Sequence, residues 1–209
     1  MDKPDEIIFV IDDDPSIRRS LSYLLSSCDY RVETFTCSEE YLDRMPHNGT
    51  GCIILDINLE GISGIELQDE LVKLESNFPI IFITSKGNVH LSVQTIRKGA
   101  INFLEKPFKE DELLNSIAEA IELSKELKKA KDESNKAKRL IELLTPRELE
   151  ILRYLITGML NKQTASELSI SEHTVQLHKL SISNKLGVKS IPEMIQIARY
   201  AGIMPSFSK

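Results

Sequence analysis

Polar groups close four of the five β-rich runs in the first part of this 209-residue chain. Asp12 and Asp13 follow residues 7–11, Asp56 ends 52–56, Thr84 follows 79–83 and Lys106 follows 101–104. Two carboxylates about 4 Å apart repel by roughly 1 kcal/mol in water and by several times that near protein, so the run Asp12-Asp13-Asp14 needs a cation or separate duties for its members. A hard divalent cation such as Mg²⁺ takes oxygen ligands and keeps several waters, which suits two or three carboxylates and one carbonyl. Lys106 offsets excess negative charge as a compact ammonium, and Thr84 can donate one more hydrogen bond. A carboxylate beside Mg²⁺ and an ammonium can attack a phosphoryl group and form an aspartyl phosphate. Asp14 reads differently. It precedes Pro15 and the amphipathic series Ile17, Leu21, Leu24 and Leu25, the pattern of a helix N-cap followed by Pro at the first helical position.

These groups need a scaffold that brings strand ends together. The runs IIFVI (7–11), RVETF (31–35), CIILD (52–56), PIIFI (79–83) and INFL (101–104) alternate with helix-patterned segments such as PSIRRSLSYLLSSC. Five such alternations predict a doubly wound α/β fold, with a five-stranded parallel sheet and helices on both faces. In the flavodoxin-like strand order 2-1-3-4-5, ligands collect outside the carboxyl ends of strands 1 and 3, where the Asp12 pair and Asp56 would converge. From Glu110 the helical pattern continues to about Leu144 with no Pro or Gly between Pro107 and Pro146. Ala120, Leu123, Leu127, Ala130, Ser134, Ala137, Ile141 and Leu144 trace a thin seam in steps of three and four. It fits a solvated linker helix or a dimerising coiled coil. The expected division is a domain over residues 1–122, a helical linker over 123–142 and a second domain over 143–209.

Charge separates the two ends. Residues 1–124 carry 11 Lys and Arg against 23 Asp and Glu, whereas 145–209 carry 8 against 5. The front therefore favours a cation and the rear a polyanion. Cys28, Cys37 and Cys52 have no metal-ligand spacing and read as reduced core thiols, which points to the cytoplasm. Neither a secretory leader nor an apolar run long enough to span a bilayer is expected, so no membrane partner is.

The rear begins with TPRELEIL (145–152), in which Thr145 is an N-cap, Pro146 the first helical residue and Glu148 the third residue of a capping box. NKQTASELSISEHTVQLHKLSISNKLGV (161–188) then has the layout of a helix-turn-helix inside an all-α domain of four helices. Ala165, Leu168, Ile170, Val175 and Leu186 would form its core, and Ser171 would cap the second helix. Thr174, Gln176, Leu177, His178, Lys179 and Lys185 are the candidate contacts to base edges and phosphates, with a packed or capping role for His178 as an equal alternative.

FVIDDDPSIRRSL, CIILDINLEGISG, PIIFITSKG and GAINFLEKPF together resemble the receiver domain of two-component response regulators over about residues 5–122. LTPRELEIL with TVQLHKLSISNKLGV resembles the NarL/LuxR-type DNA-binding domain over 143–203, and the pairing is most similar to the FixJ branch. The resemblance implies that Asp56 is the phosphoacceptor and that Asp12 and Asp13 hold Mg²⁺ together with Asp56 and the Asn58 carbonyl. It makes Thr84 the switch hydroxyl, Lys106 the pocket lysine and Phe103 the aromatic that changes rotamer, and implies a cis Lys106–Pro107 bond. The implied protein is not an enzyme but a transcription regulator. It is phosphorylated by a sensor histidine kinase, forms a homodimer on phosphorylation, and works on promoter DNA with RNA polymerase. Two rival readings are a phosphorylation-independent DNA-binding regulator whose receiver only dimerises, and an aspartyl-phosphate enzyme. Leu59-Glu60 stands where relatives mostly have Met-Pro, placing an extra carboxylate near the acceptor, and Lys86 could compensate it. Gln176 and Leu180 stand where relatives often carry basic residues, which predicts fewer phosphate contacts and a shallower salt dependence.

Overall fold

A computed structural model describes residues 6–45, 47, 49–85 and 89–206, with 89 and 90 described by backbone alone. Contacts divide the chain between Lys128 and Lys129 into two compact units.

In the first unit strands and helices alternate: β1 (Glu6–Ile11), α1 (Pro15–Ser27), β2 (Arg31–Phe35), α2 (Ser38–Asp43), β3 (Thr50–Asp56), α3 (Gly64–Lys73), β4 (Ile80–Thr84), α4 (Val89–Arg97), β5 (Asn102–Glu105) and the start of α5 (Glu110–Glu142). All neighbouring strands are parallel, in the order β2-β1-β3-β4-β5, with Val10 opposite Ile54 and Asp56 opposite Ile83. This is the expected receiver fold. Successive side chains in a strand point to opposite faces, so the uninterrupted apolar runs of β1, β3 and β4 feed two cores at once. Phe9, Ile11, Ile53, Leu55 and Phe82 pack with Tyr41 of α2 and with Leu67 and Leu71 of α3. Ile8, Val10, Ile54, Ile81 and Ile83 pack with Leu21 and Leu25 of α1 and with Leu113 and Ile117 of α5. The three cysteines are free thiols, and complete burial pushes the Cys52 thiol well above its ordinary range.

The second unit contains the end of α5, then α6 (Pro146–Leu155), α7 (Asn161–Glu167), α8 (Glu172–Leu186) and α9 (Ile191–Tyr200). Its core joins Ile151, Leu152 and Leu155 of α6, Ala165 of α7, Val175, Ile182 and Leu186 of α8, and Met194 of α9. The turn into α8 and the cap by Ser171, whose hydroxyl accepts the Thr174 N–H at 3.0 Å, match the sequence pattern.

The seam along α5 is largely occupied within the chain. Ala120 is buried in the first unit, while Ala137 is buried and Ile141 and Leu144 pack on the helical core of the second. The Ser134 hydroxyl donates to the Tyr200 carbonyl at 3.0 Å. Leu127 and Ala130 are left exposed between them. Among the described residues no helix is long and apolar enough to cross a membrane.

Candidate functional site

The carboxyl ends of β1, β3 and β5 deliver three charged side chains to one cleft of about 1020 Å³, whose polar lining includes Asp12, Asp13, Asp56, Asn58 and Lys106, with Asp14 and Glu110 also on it. Lys106 Nζ donates to Asp12 Oδ2 at 2.6 Å and to Asp56 Oδ1 at 2.8 Å. Asp12 is wholly buried and Asp56 nearly so. Burial pushes the Asp12 carboxyl above its ordinary range, although hydrogen bonds from Lys106 and the Asp14 N–H oppose the rise. Burial would lower Lys106, but its two carboxylate partners outweigh that and hold its ammonium above the usual range. Thr84 is buried at the end of β4 and lies within reach of the Asn58 side chain, whose Nδ2 donates to Thr84 Oγ1 at 3.3 Å. The Asn58 N–H donates to Asp56 Oδ2 at 2.7 Å, so both Asp56 oxygens are held. Phe103 is half-buried on β5 and packs against the core on the α3 face. The Lys106–Pro107 bond is cis.

Asp13 is exposed on the rim of the cleft. Among the described residues, no group of three or more His, Cys, Asp or Glu side chains is gathered as a preformed metal cluster. The donor set still suits a hard cation: three carboxylates, Asp12, Asp13 and Asp56, offer oxygen ligands on one cleft beside a single ammonium, Lys106. Asp14 stands apart, for its carboxylate accepts the Ser16 N–H at 2.7 Å and caps α1, with Pro15 at the first position of the helix. Asp14→Ala is therefore expected to lower the midpoint of thermal unfolding by a few degrees and to leave Mg²⁺ affinity unchanged in a fluorescence or calorimetric titration.

Residues that the sequence reading did not single out shape the loop after Asp56. A Cβ at Gly64 would clash with the Asp56 carbonyl oxygen, so the first turn of α3 approaches the end of β3 only because that position lacks a side chain. From α2, Glu39 accepts the Ile62 N–H at 3.0 Å and the Ser38 hydroxyl donates to the Ile62 carbonyl at 2.8 Å. The Ser63–Glu66 capping box of α3 was visible in the sequence as a motif, whereas the grip of α2 joins residues 23 and 24 apart and leaves no local signal. Leu59 is buried among the apolar residues of the α3 face, and Glu60 is exposed and absent from the cleft lining. Lys86 lies outside the described residues.

In the second unit α8 turns Val175, Ile182 and Leu186 inward. The opposite line consists of His173, Leu177, Leu180 and Asn184, all exposed, with exposed Gln176 beside it. Of the other residues anticipated as DNA contacts, Thr174, His178 and Lys179 are half-buried on the flanks of the helix. Lys185 is engaged elsewhere: its Nζ donates to Glu148 Oε2 at 2.7 Å, and Ser181 Oγ donates to Glu148 Oε1 at 2.6 Å. Glu148 also closes the α6 capping box by accepting the Thr145 N–H at 2.7 Å. Burial would raise this carboxyl, but the bonds from Lys185, Ser181 and Thr145 reverse the effect and hold it down to about 2.

Residues 8–118 match the family described as "Response regulator receiver domain", and residues 142–198 match "Bacterial regulatory proteins, luxR family". Nodulation protein W of Bradyrhizobium diazoefficiens is 36% identical over 197 residues, covering 94% of this chain and 87% of that protein. Among solved structures, the response regulator StyR superposes with a TM-score of 0.77 at 38% identity, covering 93% of this chain and 98% of StyR. Full-length FixJ from B. japonicum superposes with a TM-score of 0.56 at 34% identity, covering 95% of this chain and 98% of FixJ.

Proposed function

Because this chain belongs to the response regulators that join a receiver domain to a luxR-family DNA-binding domain, and is a FixJ-like transcriptional regulator, we propose that Asp56 is the switch through which a sensor kinase controls it. The observation that carries this reading is the triad in which one ammonium, Lys106, binds both Asp12 and Asp56 at the carboxyl edge of the sheet. An Asp56 carboxylate oxygen attacks the phosphorus of a phosphohistidine, the P–N bond breaks, and the imidazole leaves with that electron pair. Asp12, Asp13, Asp56 and the Asn58 carbonyl would hold Mg²⁺, which neutralises charge on the transferring oxygens. Lys106 exchanges its bond to Asp56 for one to a phosphoryl oxygen. Thr84, already linked through Asn58 to the acceptor, donates to another, and Phe103 follows the Thr84 shift.

The family consists of transcriptional regulators rather than enzymes, and this chain acts as one in the cytoplasm. The phosphorylated receiver pairs with a second copy, and the dimer presents two α8 helices to promoter DNA for RNA polymerase to read. Gln176, Leu177 and Thr174 supply base-edge contacts, while His178 and Lys179 reach the groove wall from the flanks of the helix. Lys185 supports α8 through Glu148. The receiver ends near residue 122 and the DNA-binding domain begins near 143. Moving the population from 1:99 to 99:1 requires about 5.5 kcal/mol of preference for the active state, which the added phosphoryl charge can supply in part and DNA in part.

The test incubates the protein with Mg²⁺ and acetyl phosphate, then follows intact mass and binding to promoter duplex. A single phosphoryl adduct and at least a tenfold gain in DNA affinity are expected. No adduct, or an adduct without a change in affinity, would overturn the switch.

A further inference from the structure

The line of α8 that faces away from its core carries no carboxylate, lysine or arginine. His173, Leu177, Leu180 and Asn184 occupy it, and the two leucines are 55% and 60% exposed. What sets this pair apart from other exposed apolar side chains is its place on the second helix of the helix-turn-helix in a luxR-family domain. Leu177 and Leu180 are one turn apart on one side of the helix, with an axial offset of about 4.5 Å. Successive base pairs are about 3.4 Å apart, so a helix lying along the major groove sets the two side chains over adjacent or next-but-one pairs. The apolar group that bases present there is the 5-methyl of thymine, and every other edge offers donors or acceptors that a leucine would leave unpaired.

We propose that Leu177 and Leu180 read two neighbouring thymine methyl groups in each half-site, so that this protein selects its operator partly by apolar contact. This rests on α8 being the DNA-reading helix and names what that helix prefers. The pair acts in two ways. It gains from burying the methyls, and it penalises guanine, cytosine and adenine, whose polar edges lose water beneath an apolar side chain. Gln176, beside this line, has an amide that can pair with an adenine edge, which favours A·T-rich half-sites further. The partner chemistry is therefore double-stranded DNA with clustered A·T pairs. A protein patch is the competing occupant; the position of the two leucines on the second helix of a luxR-family helix-turn-helix is what favours DNA.

The experiment uses the full chain, treated with Mg²⁺ and acetyl phosphate, to select duplexes from a random-sequence library. The selected duplex is then rebuilt with deoxyuridine replacing thymine one position at a time, which removes only the methyl. Two positions per half-site are expected to weaken binding by about threefold to tenfold each. Leu177→Ala should abolish sensitivity at one of them and Leu180→Ala at the other; both residues are exposed, so neither variant threatens the fold. A selected duplex indifferent to every uracil substitution would overturn this inference while leaving DNA binding intact. So would uracil effects that persist unchanged in both variants. If Leu177→Ala and Leu180→Ala weaken assembly with no uracil effect, the leucines belong to a protein contact and the inference is wrong. A library from which no duplex is enriched would overturn the DNA-reading role of α8 and this inference with it.

Discussion

Asp56→Asn should form no phosphoryl adduct with acetyl phosphate, and the unmodified receiver should be at least as stable as the parent. Lys106→Met should show the reverse pattern in stability. The difference follows from which charge is left behind. Asn at position 56 can still accept the Lys106 hydrogen bond, and it removes one of two carboxylates competing for a single ammonium. Met at position 106 leaves Asp12, which is wholly buried, without its cation. Removing one partner of a buried pair costs about 3 to 5 kcal/mol, and hydration at the cleft mouth should bring the loss toward the lower end. Adduct formation in Lys106→Met should fall on the order of 100-fold, as when one charge-stabilising group is removed from a reaction site. The two effects can be separated with Mg²⁺. A divalent ion should restore much of the lost stability, read from urea midpoints with and without chelator, but little of the rate. If Lys106→Met were as stable as the parent in chelator, the charge balance assigned to the triad would be wrong.

The second large effect belongs to Glu148. Its carboxyl is held at about 2 against an ordinary 4.5, and with solvent screening of the partly exposed Lys185 partner this corresponds to about 1 to 2 kcal/mol of stabilisation in the second unit. A depressed folded-state value means that this contribution is complete above the unfolded pKa near 4.5. It is lost as pH falls from there through about 2. Glu148→Gln should lower the unfolding free energy of the helical unit by about 1 to 2 kcal/mol at neutral pH and flatten its decline between pH 4.5 and 2. Circular dichroism during urea titration at several pH values would show both. DNA binding should weaken as well, because Ser181 and Lys185 anchor α8 to α6 through this one carboxylate. A variant with an unchanged midpoint and an unchanged acid limb would show that Glu148 is dispensable to the unit.

Glu148 also illustrates where sequence reading succeeds and where it stops. Its role as third residue of a capping box is local, spans three positions and was legible from TPRELEIL. Its hold on α8 joins residues 33 and 37 apart, and no pattern in the chain announces such a pairing. Lys185 therefore looked like one more cation for phosphate. The α/β fold was readable because alternating apolar runs and helical spacing repeat five times, and parallel strands constrain the order of their connections. The convergence of Asp12, Asp56, Thr84 and Lys106 followed from that topology. The sharing of one ammonium by two carboxylates depended on side-chain distances that topology leaves open. On α8 the phase of the inward residues Val175, Ile182 and Leu186 already places Leu180 outward, a signal present in the sequence. The seam of α5 left a linker helix and a coiled coil both open for a related reason, since periodicity marks an apolar stripe without saying which surface covers it.

That helix is one regular element in hydrogen bonding but not in cooperativity. Its first turns are fixed by Leu113, Ile117, Ala120 and Ile121, and Ser124 bonds to the Gly51 N–H and the Asn77 carbonyl at the base of the sheet. Its last turns melt only with the second core. Between Lys125 and Ser134 no residue is buried. An isolated helical stretch of about that length is marginal in water, so these turns owe their order to the anchored ends. Local opening should therefore begin in the middle of the longest element of the chain while both of its ends stay closed, the reverse of ordinary fraying. Each half then reports the unfolding of its own domain, and the centre reports neither.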